Sequence, residues 1–506
     1  MPVIEPQRPA AGSAGSVGSA GDVPAGSLWH NADFVKFWSG ETVSLFGTQV
    51  TYLALPLTAI YTFKASAAEV GVLRFVQLAP YIGLALLFGV WVDRHRRRPV
   101  MLWTNVARMT LIGLVPVLHL AGWLTMPLLL VIACAVGIAS VMFDVSWMPY
   151  VPSIVDSRHF VAANAKMAVA TSASTVAGPG LAGALVALLT APVTLVADAF
   201  SYLFSIAALL SVRRREPVPP VPPKRHLLAE LRSGLSWVFG RPLLAWLAFG
   251  GFLANFSMVT VWTIFLLYGT YQLRLSSFTL GLIFTISSTG GVIGALAAER
   301  VLRRFPLGLA YFFSLSGLLL GPLVIVAASG PELVVAGLVI ASFFITNLGL
   351  GVANVVVVTL RQVTTPQSLM SRMTACFRML LYGGGAVGGL AAGLLASWLG
   401  DKNALIVTAA ISALAAAALA TSPVTRLRKL PERDSVLARR LSRRGEAGQH
   451  GEHLRASRPA GRRRCLPGAA EVRDGGVAGG LVRLHALATR VTRAVPLRRP
   501  ARVRGR

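Results

Sequence analysis

Charge is scarce in this sequence. Only 13% of its 506 residues are Asp, Glu, Lys or Arg, whereas 54% are hydrophobic and the mean hydropathy is +0.64. A soluble domain carries about 25% charged residues. The shortage of charge over so long a chain argues against a soluble enzyme and predicts an integral membrane protein.

Cysteine and the common catalytic motifs are scarce as well. The three cysteines, Cys134, Cys376 and Cys465, form neither a CxxC pair nor an even framework, which argues against a disulfide scaffold and against a zinc site. The sequence has no Gly-Lys-Ser/Thr phosphate loop and no HExxH motif. We therefore expect a protein that is not an enzyme and that uses no metal and no cofactor.

The two ends of the chain lack the long apolar runs of its body. Residues 1–33 are rich in Ala, Gly and Ser and have no apolar core of a signal peptide, so we expect a disordered cytoplasmic lead. Residues 423–506 contain 22 Lys and Arg against 6 Asp and Glu, and the rest of the chain contains 26 against 14. Much of the net charge of +28 thus belongs to a tail that we expect to be disordered and cytoplasmic.

The basic tail is open to three interpretations. It could bind anionic lipid headgroups, with each basic residue near the surface contributing about 1 kcal/mol. It could bind nucleic acid, but it lacks interleaved aromatic residues, and we expect no nucleic-acid partner. GC-rich DNA read out of frame would give a similar composition, so we favour a dispensable tail.

Twelve apolar segments are long enough to cross a bilayer as helices, which takes about 20 residues each. Spans 1 to 12 cover, in chain order, residues 36–63, 66–92, 100–122, 124–148, 160–188, 190–212, 243–271, 276–298, 307–328, 332–357, 368–398 and 402–422. The one long connection contains RRREPVPPVPPKR, whose prolines cannot continue a helix. The predicted fold class is an all-α integral membrane protein, with six-helix bundles at 34–212 and 243–422 joined by a cytoplasmic loop at 213–242.

Basic residues predict the orientation of the spans. With the N-terminus inside, the cytoplasmic loops hold sixteen Lys and Arg residues, whereas the outer loops hold only Lys64, Arg274 and Lys402. Such a positive-inside bias indicates an even number of spans, with both termini in the cytoplasm.

The two bundles repeat each other in sequence. Asp93 to Arg98 follows span 2, and Glu299 to Arg304 follows span 8, so that both loops read [D/E]-R-x-x-R-R. AGPGLAGALVA at 177–187 pairs with AVGGLAAGLLA at 386–396 at nearly the same offset. Parallel six-span repeats with a pathway between them are a known transporter plan.

The loop GVWVDRHRRRP at 89–99 resembles the signature Gly-x-x-x-Asp-Arg-x-x-Arg-Arg of the major facilitator superfamily. FVKFWSGETVSLFGTQVTYLALPL at 34–57 and FDVSWMPYVPSIVDSRHFVAANA at 143–165 resemble its drug, macrolide and enterobactin exporter branch. GPGLAG at 178–183 resembles the Gly-Pro signature of the family's antiporters. The resemblance covers residues 30–422 and implies the major facilitator fold. Thr48 departs from the acidic residue that the branch often has there, and span 4 lacks the arginine of many drug antiporters.

The two basic loops are the predicted gating motif. Its residues are Gly89, Asp93, Arg94, Arg97 and Arg98, and, in the second copy, Glu299, Arg300, Arg303 and Arg304. The resemblance implies that Asp93 meets the positive N-terminal end of span 11, near Ser368, and Asp144 is a candidate acceptor for the arginines. Such a cluster would latch the two bundles together on the cytoplasmic side. Alternatively, the arginines only enforce topology.

Ionisable residues inside the spans are candidates for function because each costs about 2.5–3.5 kcal/mol at a helix centre. Glu41, Asp144 and Asp198 are the proton-coupling candidates. Glu41 could instead lie at the membrane interface with Lys36, and Asp198 could be a helix-start residue at the outer surface. Arg74 and Arg108 could be cavity cations or could snorkel to a membrane face.

Small and polar residues complete the predicted site. Gly178, Pro179, Gly183, Gly385, Gly389 and Gly393 are predicted to let spans 5 and 11 pack closely and rock. The cavity candidates, chosen by depth, are Gln49, Tyr52, Arg74, Asn255, Trp262, Asn347 and Phe377. An aromatic, weakly polar lining suits bulky amphipathic molecules.

The sequence thus predicts a secondary active transporter in a bacterial plasma membrane, acting as a monomer among membrane lipids. Its expected partners are protons and a small organic substrate of the drug, macrolide or siderophore type, which it would export by alternating access. The alternatives are an importer or a lysophospholipid transporter of the same fold, and a non-transporting membrane scaffold with a basic tail.

Overall fold

A computed structural model describes residues 28–214, 216, 227–327, 332–366 and 369–428. All regular secondary structure in these ranges is helical, and twelve of the described helical segments are long and apolar enough to cross a membrane. The predicted all-α fold with twelve spans is therefore confirmed. Most of the predicted N-terminal lead, most of the basic tail and the Pro-rich part of the connection lie outside the described residues.

The helices of the N-terminal bundle follow the predicted spans, and the helices of spans 1 and 4 extend beyond them. Span 1 is Ala32–Phe63, span 2 is Ala67–Leu78 followed by Pro80–Val92, span 3 is Arg97–Leu120, span 4 is Met126–Ile154, span 5 is Phe160–Leu189 and span 6 is Ala191–Ser211. Local chemistry sets several of these bounds. Ser66 and Glu69 form a capping box at the start of span 2, and Pro80, which has no N–H to donate, divides that span.

The helices of the C-terminal bundle follow a helix in the connection. This connecting helix is Leu227–Phe239. Span 7 is Pro242–Tyr271, span 8 is Ser277–Arg304, span 9 is Leu307–Leu320 followed by Pro322–Ala327, span 10 is Glu332–Thr364, span 11 is Met370–Leu399 and span 12 is Asp401–Ala420. A proline divides span 9 as another divides span 2.

The packed chain extends beyond the boundaries predicted for the two bundles. Leu28 is buried in the N-terminal bundle, six residues before the predicted start at 34. Val238 of the connecting helix and Val424 after span 12 are both fully buried in the core of the C-terminal bundle. The predicted loop at 213–242 and the predicted tail from 423 were therefore drawn too wide, because their apolar residues find a core.

The apolar interior differs between the two ends of the molecule. We call the end with the loop 93–96 and the last residues of spans 8 and 10 the basic end, and the end with the turns 64–66 and 272–276 the opposite end. At the opposite end, residues of both bundles share one core, which includes Ile60 and Leu73 with Phe265 and Leu280. At the basic end each bundle has a core of its own. The bundles are thus joined at the opposite end.

Candidate functional site

Close helix contacts join the bundles at the opposite end. Gly183 of span 5 faces span 8 so tightly that a Cβ there would lie 2.5 Å from the carbonyl oxygen of Ser277. Gly71 of span 2 faces span 11, where a Cβ would lie 2.6 Å from the carbonyl oxygen of Gly389 and 2.7 Å from Cα of Gly393. Gly183, Gly389 and Gly393, which the sequence singled out for packing, thus lie where backbones of the two bundles meet.

The remaining residues of the packing prediction are Gly178, Pro179 and Gly385. Gly178 faces Gln49 of span 1, and Gly385 faces the side-chain oxygen of Asn255 in span 7. The carbonyl oxygen of Pro179 approaches Gly281 of span 8, on the other bundle. Pro179 therefore takes part in the contact between the bundles. A Cβ on Gly385 would also lie 3.1 Å from Cδ1 of Leu78 in span 2, on the other bundle, whereas Gly178 packs within its own bundle.

Polar and cationic contacts also cross between the bundles at the opposite end. The Tyr271 hydroxyl donates to the carbonyl oxygens of Ile60 at 3.3 Å and Ala65 at 3.2 Å. The guanidinium of Arg74, from span 2, lies between the rings of Tyr52 and Trp262, at 4.2 and 3.9 Å from their centroids. Trp262 belongs to span 7, so this stack links one bundle to the other.

The Arg74 side chain does not snorkel to a membrane face but is enclosed by protein. Only 1% of its surface is exposed, and its Nη1 and Nη2 donate to Gln77 at 3.1 Å and to the Tyr52 carbonyl at 3.0 Å. Aromatic faces on both sides attract the cation and compensate part of its lost hydration. The prediction of a cavity cation is wrong for this conformation, because the aromatic rings enclose the side chain.

A small cavity of about 130 Å³ lies between the bundles. Its lining residues are Gln49, Tyr52, Leu53, Thr175, Pro179, Met258, Val259, Trp262, Phe284, Ser287, Ser288, Phe343, Thr346 and Asn347. Hydroxyl and amide groups make up the polar part of this wall, aromatic rings contribute to the rest, and no charged side chain belongs to it. Such a wall suits an uncharged organic molecule.

Four of the seven predicted cavity residues, Gln49, Tyr52, Trp262 and Asn347, line this cavity. Phe377 lies instead in the core of the C-terminal bundle, beneath Arg361 at 4.4 Å from the ring centroid. Asn255 packs against Gly385. The prediction missed the contributions of spans 5 and 8, although the hydroxyl pair Ser287 and Ser288 in the middle of an apolar helix was a signal.

A second polar site is buried inside the N-terminal bundle, around Arg108 of span 3. Its guanidinium donates to the side-chain oxygen of Asn105 and lies over the rings of Phe143 and Tyr202, at 4.0 and 4.5 Å from their centroids. Arg108 also interacts electrostatically with three acidic side chains, Glu41, Asp144 and Asp198. We call these four residues the Arg108 cluster.

Two acids of the Arg108 cluster, Asp198 and Glu41, are buried inside the bundle, whereas the alternative interpretations placed them at its surface. Asp198 is fully buried and comes seven residues after the start of span 6, where it accepts hydrogen bonds from Thr51 and, at 2.9 Å, from Ser201. It is therefore not a helix-start residue at the surface. Glu41 is 4% exposed, and Lys36 bonds to Asp33 and Ser211 instead, so the interface alternative is wrong too.

The third acid connects the Arg108 cluster to the other bundle. Asp144 of span 4 accepts a hydrogen bond of 2.6 Å from the Tyr81 hydroxyl and interacts with Arg378 of span 11. The rings of Tyr81 and Tyr382 stack at 4.1 Å, and Tyr382 is also in span 11. Asp144 thus has partners on both sides of the boundary between the bundles.

Asp144 is not the acceptor for the arginines of the gating motif. It lies ten residues before the end of span 4, or about 15 Å along the helix axis, whereas Arg97 begins span 3 at the basic end. Arg97 pairs instead with Asp93 at 3.8 Å and with Glu216 at 4.0 Å. The prediction placed Asp144 near the inner end of span 4 and failed because that helix continues to Ile154, six residues beyond the predicted end at 148.

Glu216 is a functional candidate that sequence reasoning missed. Its carboxylate accepts hydrogen bonds from the backbone N–H groups of Arg97 and Arg98, at 2.8 and 3.0 Å, and so caps the start of span 3. Its position in RRREP, amid arginines, hid this role. The segment is also held by Asp33, which accepts from the N–H groups of Arg213 and Arg214.

The two copies of the gating motif have different surroundings. In the first copy, Arg97 is 24% exposed between Asp93 and Glu216, and a Cβ on Gly89 would meet open space. In the second copy, Glu299 and Arg303 pair at 3.8 Å, with 81% and 70% of their side chains exposed. Arg94, Arg300 and Arg304 are exposed, and Ser368 lies outside the described residues. The first copy is therefore the one whose arginine is partly buried by contacts with the rest of its bundle.

The family model for the Major Facilitator Superfamily matches residues 37–389 of this sequence. The chain belongs to this superfamily. The uncharacterized MFS-type transporter YfiS of Bacillus subtilis (strain 168) is 24% identical over 388 residues, which are 73% of this chain and 88% of that protein. The chain is thus a multi-pass membrane transporter of the superfamily, as the loop motif predicted.

Solved structures of other transporters share the fold of this superfamily member. The nucleoside transporter NupG superposes with a TM-score of 0.62 at 12% identity, over 76% of this chain and 98% of NupG. A bacterial homologue of the human lysosomal transporter Spinster superposes with a TM-score of 0.63 at 14% identity, over 80% and 98% of the two chains. At such identities the likeness shows the fold alone.

Proposed function

We propose that this protein exports small organic compounds in exchange for protons, by alternating access. The observation that carries the proposal is the Arg108 cluster, in which buried carboxyl groups of three helices share one guanidinium and reach the second bundle through Asp144. A proton-driven transporter needs such an acid at a place where its charge interacts with both bundles.

The balance of buried charge supports proton binding. Glu41, Asp144 and Asp198 face two guanidinium groups, those of Arg108 and Arg378. With every group ionised, one negative charge would remain uncompensated, and buried net charge is costly. Glu41 Oε2 has no hydrogen-bond partner among the described residues. Uptake of one proton would remove the excess charge.

The contacts of Asp144 indicate how a proton could change the conformation. The Asp144 carboxylate attracts Arg378 of the other bundle and accepts from Tyr81, whose ring stacks on Tyr382. Protonation of Asp144 would remove the charge that attracts Arg378 and so weaken this link. The differential interaction of the two protonation states with the second bundle is what any coupling requires.

The division of the core supports the direction of access. We assign the basic end to the cytoplasm because of the positive-inside bias of the loops, which places both termini there. The opposite end, where the bundles share a core, would then be the closed outer side. The outward-open form would separate Gly183 from span 8 and free Arg74 from Trp262, and Arg74 would then reach the cavity.

The wall of the cavity supports the substrate class. Four aromatic rings and several hydroxyl and amide groups line it, without a carboxylate. Uncharged aromatic or amphipathic compounds fit this chemistry. Import, or transport of lysophospholipids, would use the same wall, so direction and substrate have to be measured together.

The experiment is transport of a compound panel in inverted membrane vesicles, with and without an imposed pH gradient. The panel includes macrolides, siderophores, lysophospholipids and, because of the likeness to NupG, nucleosides. We expect uptake into the vesicles that rises with a gradient acidic inside. Uptake that ignores the gradient would reject proton coupling. Transport seen only in right-side-out vesicles would favour the importer, and no transport of any compound would favour the scaffold.

A further inference from the structure

Two apolar grooves flank span 3 at the basic end. One groove, of about 660 Å³, lies between spans 2, 3 and 4, and its wall includes Trp91, Val100, Ile138 and Met142. The other, of about 600 Å³, lies between spans 3 and 6, and its wall includes Leu102, Ile206 and Leu210. Both open to the surface that faces the lipid in a membrane-spanning bundle.

Trp103 forms the ridge between the two grooves. It lines both of them, and 74% of its surface is exposed. It lies six residues after Arg97, the first residue of span 3, or about 9 Å along the helix axis. This is the depth of the membrane interface, where tryptophan is favoured.

Basic side chains lie where the grooves converge at the basic end. Arg96, the N-cap residue of span 3, lines both grooves, Arg98 lines one and His95 the other. Arg96 is exposed, and among the described residues the ion pairs of this region involve Arg97 and Arg214 and not Arg96. The acidic groups nearby, Asp93 and Glu216, both lie within 4.0 Å of Arg97. Glu216 also lines the groove between spans 3 and 6, but its two carboxylate oxygens accept from the N–H groups of Arg97 and Arg98. The positive charge of Arg96 is therefore available to a ligand.

We propose that an anionic phospholipid of the bilayer binds astride span 3. Its phosphate lies at Arg96, with Arg98 and His95 to either side, and its two acyl chains lie in the two grooves on either side of Trp103. Charge complementarity selects this occupant, since a basic pocket between helices on the cytoplasmic side attracts anionic headgroups. One cation shared by two apolar grooves matches a lipid with one headgroup and two chains. The proposal does not depend on the substrate or on proton coupling.

The test is lipid binding to the full-length protein in detergent, measured by native mass spectrometry. Phosphatidylglycerol and phosphatidylcholine with identical acyl chains are titrated separately. We expect tighter binding of phosphatidylglycerol, and Arg96→Gln should weaken it about fivefold, the effect of one basic residue, without changing binding of phosphatidylcholine. Arg96→Lys should keep the preference. Arg304→Gln, in the second copy of the motif, is the matched control and should bind like the parent protein.

A second measurement places the acyl chains. Brominated phosphatidylglycerol quenches tryptophan fluorescence on contact, and the quenched fraction should fall in Trp103→Phe. Trp398→Phe removes a tryptophan of similar exposure at the opposite end, 80% against 74% for Trp103. In that variant, quenching should still be stronger with phosphatidylglycerol than with phosphatidylcholine. Circular dichroism of each variant verifies its fold.

Three outcomes would overturn the proposal. Equal binding of both lipids would mean that the grooves hold any acyl chain. Equal losses in Arg96→Gln and Arg304→Gln would mean a diffuse basic surface, to which the tail could contribute. Unchanged quenching in Trp103→Phe would mean that the acyl chains lie elsewhere.

Discussion

Arg108 illustrates how a buried cation can organise several helices at once. Its guanidinium donates to Asn105 on its own helix, lies over rings from spans 4 and 6, and faces acids from spans 1, 4 and 6. Removing such a group would leave buried carboxylates uncompensated and destabilise the bundle. Tests of coupling therefore have to change one acid and leave the arginine in place.

Asp144→Asn is the substitution that separates coupling from binding. Asparagine keeps the shape and can still accept from Tyr81, but it has no charge to attract Arg378. We expect transport driven by a pH gradient to fall about tenfold or more, a typical coupling effect, whereas exchange of substrate without a gradient persists. Both rates are measured in vesicles with the same protein content.

The matched control for this substitution is Asp156→Asn. Asp156 is exposed, with a side-chain accessibility of 53%, and pairs with Arg214 at 3.2 Å on the surface. An exposed pair contributes little, so we expect both transport modes to stay near the parent level. If Asp144→Asn lost exchange together with gradient-driven transport, its role would be in substrate binding or folding.

Glu216→Gln tests the cap of span 3. The carboxylate now accepts from two N–H groups, and glutamine has one side-chain oxygen and no charge to offer to the positive end of the helix. We expect the loss of about 1 kcal/mol of stability, as for other helix caps, seen as a lower melting temperature in detergent. Glu299→Gln, whose side chain is 81% exposed, should change stability by less than about 0.5 kcal/mol.

The site residues show where sequence reasoning reaches and where it stops. An acid within an apolar run is visible in sequence, and Glu41, Asp144 and Asp198 were identified as candidates in this way. Their grouping around Arg108 depends on how four helices are rotated, which hydropathy does not encode. Glu216 was invisible for a related reason, since its partner lies 119 positions away in the chain.

The spans themselves were predictable because the bilayer imposes a length and a composition on each helix. Contacts between spans were harder. Spans 5 and 11 carry a small residue at close intervals, which indicated close packing, but their partners across the boundary, Ser277 and Gly281 in span 8 and Gly71 in span 2, follow from the arrangement of the bundles. The depth of a residue in the bundle also decides which side chains it can contact. Asp144 lies too far along span 4 to meet Arg97, which lies at the start of span 3.

Gly183→Ala tests the contact between spans 5 and 8. The added methyl group would lie 2.5 Å from a backbone oxygen that cannot move aside alone, so it destabilises the joined form. Overpacking of this kind costs about 1–3 kcal/mol, and 1.4 kcal/mol already changes the ratio of two conformations tenfold. We expect a larger population with the bundles apart at the opposite end.

Spin labels at Lys64 and Lys402, one on each bundle at the opposite end, measure this population in a protein without its native cysteines. The distance distribution should gain a longer component in Gly183→Ala. Gly337→Ala is the control, since a Cβ there meets nothing within 4 Å, and its distribution should match the parent. Identical distributions in all three proteins would show that the contact does not set the conformation.

The two bundles share one apolar core at the opposite end, and each has a separate core at the basic end. Each core is completed by chain outside the spans, by Leu28 on one bundle and by Val238 and Val424 on the other. Each bundle can therefore keep its own packing at the basic end while its contacts with the other bundle change. This separation is the property that rocking motions between rigid bodies require.

The extent of the C-terminal core predicts where the chain can be shortened. Val424 is fully buried, and the carbonyl oxygen of Leu427 accepts a 2.8 Å hydrogen bond from Gly308 at the start of span 9. A chain ending at Ser422 loses both contacts, and burial of one valine side chain alone contributes about 1.5–3 kcal/mol. We expect this truncation to lower the melting temperature and the yield. A chain ending at Arg428 keeps both contacts, and its stability and transport should equal those of the full chain. Lost transport in the chain ending at Arg428, with an unchanged melting temperature, would instead assign an active role in transport to residues 429–506.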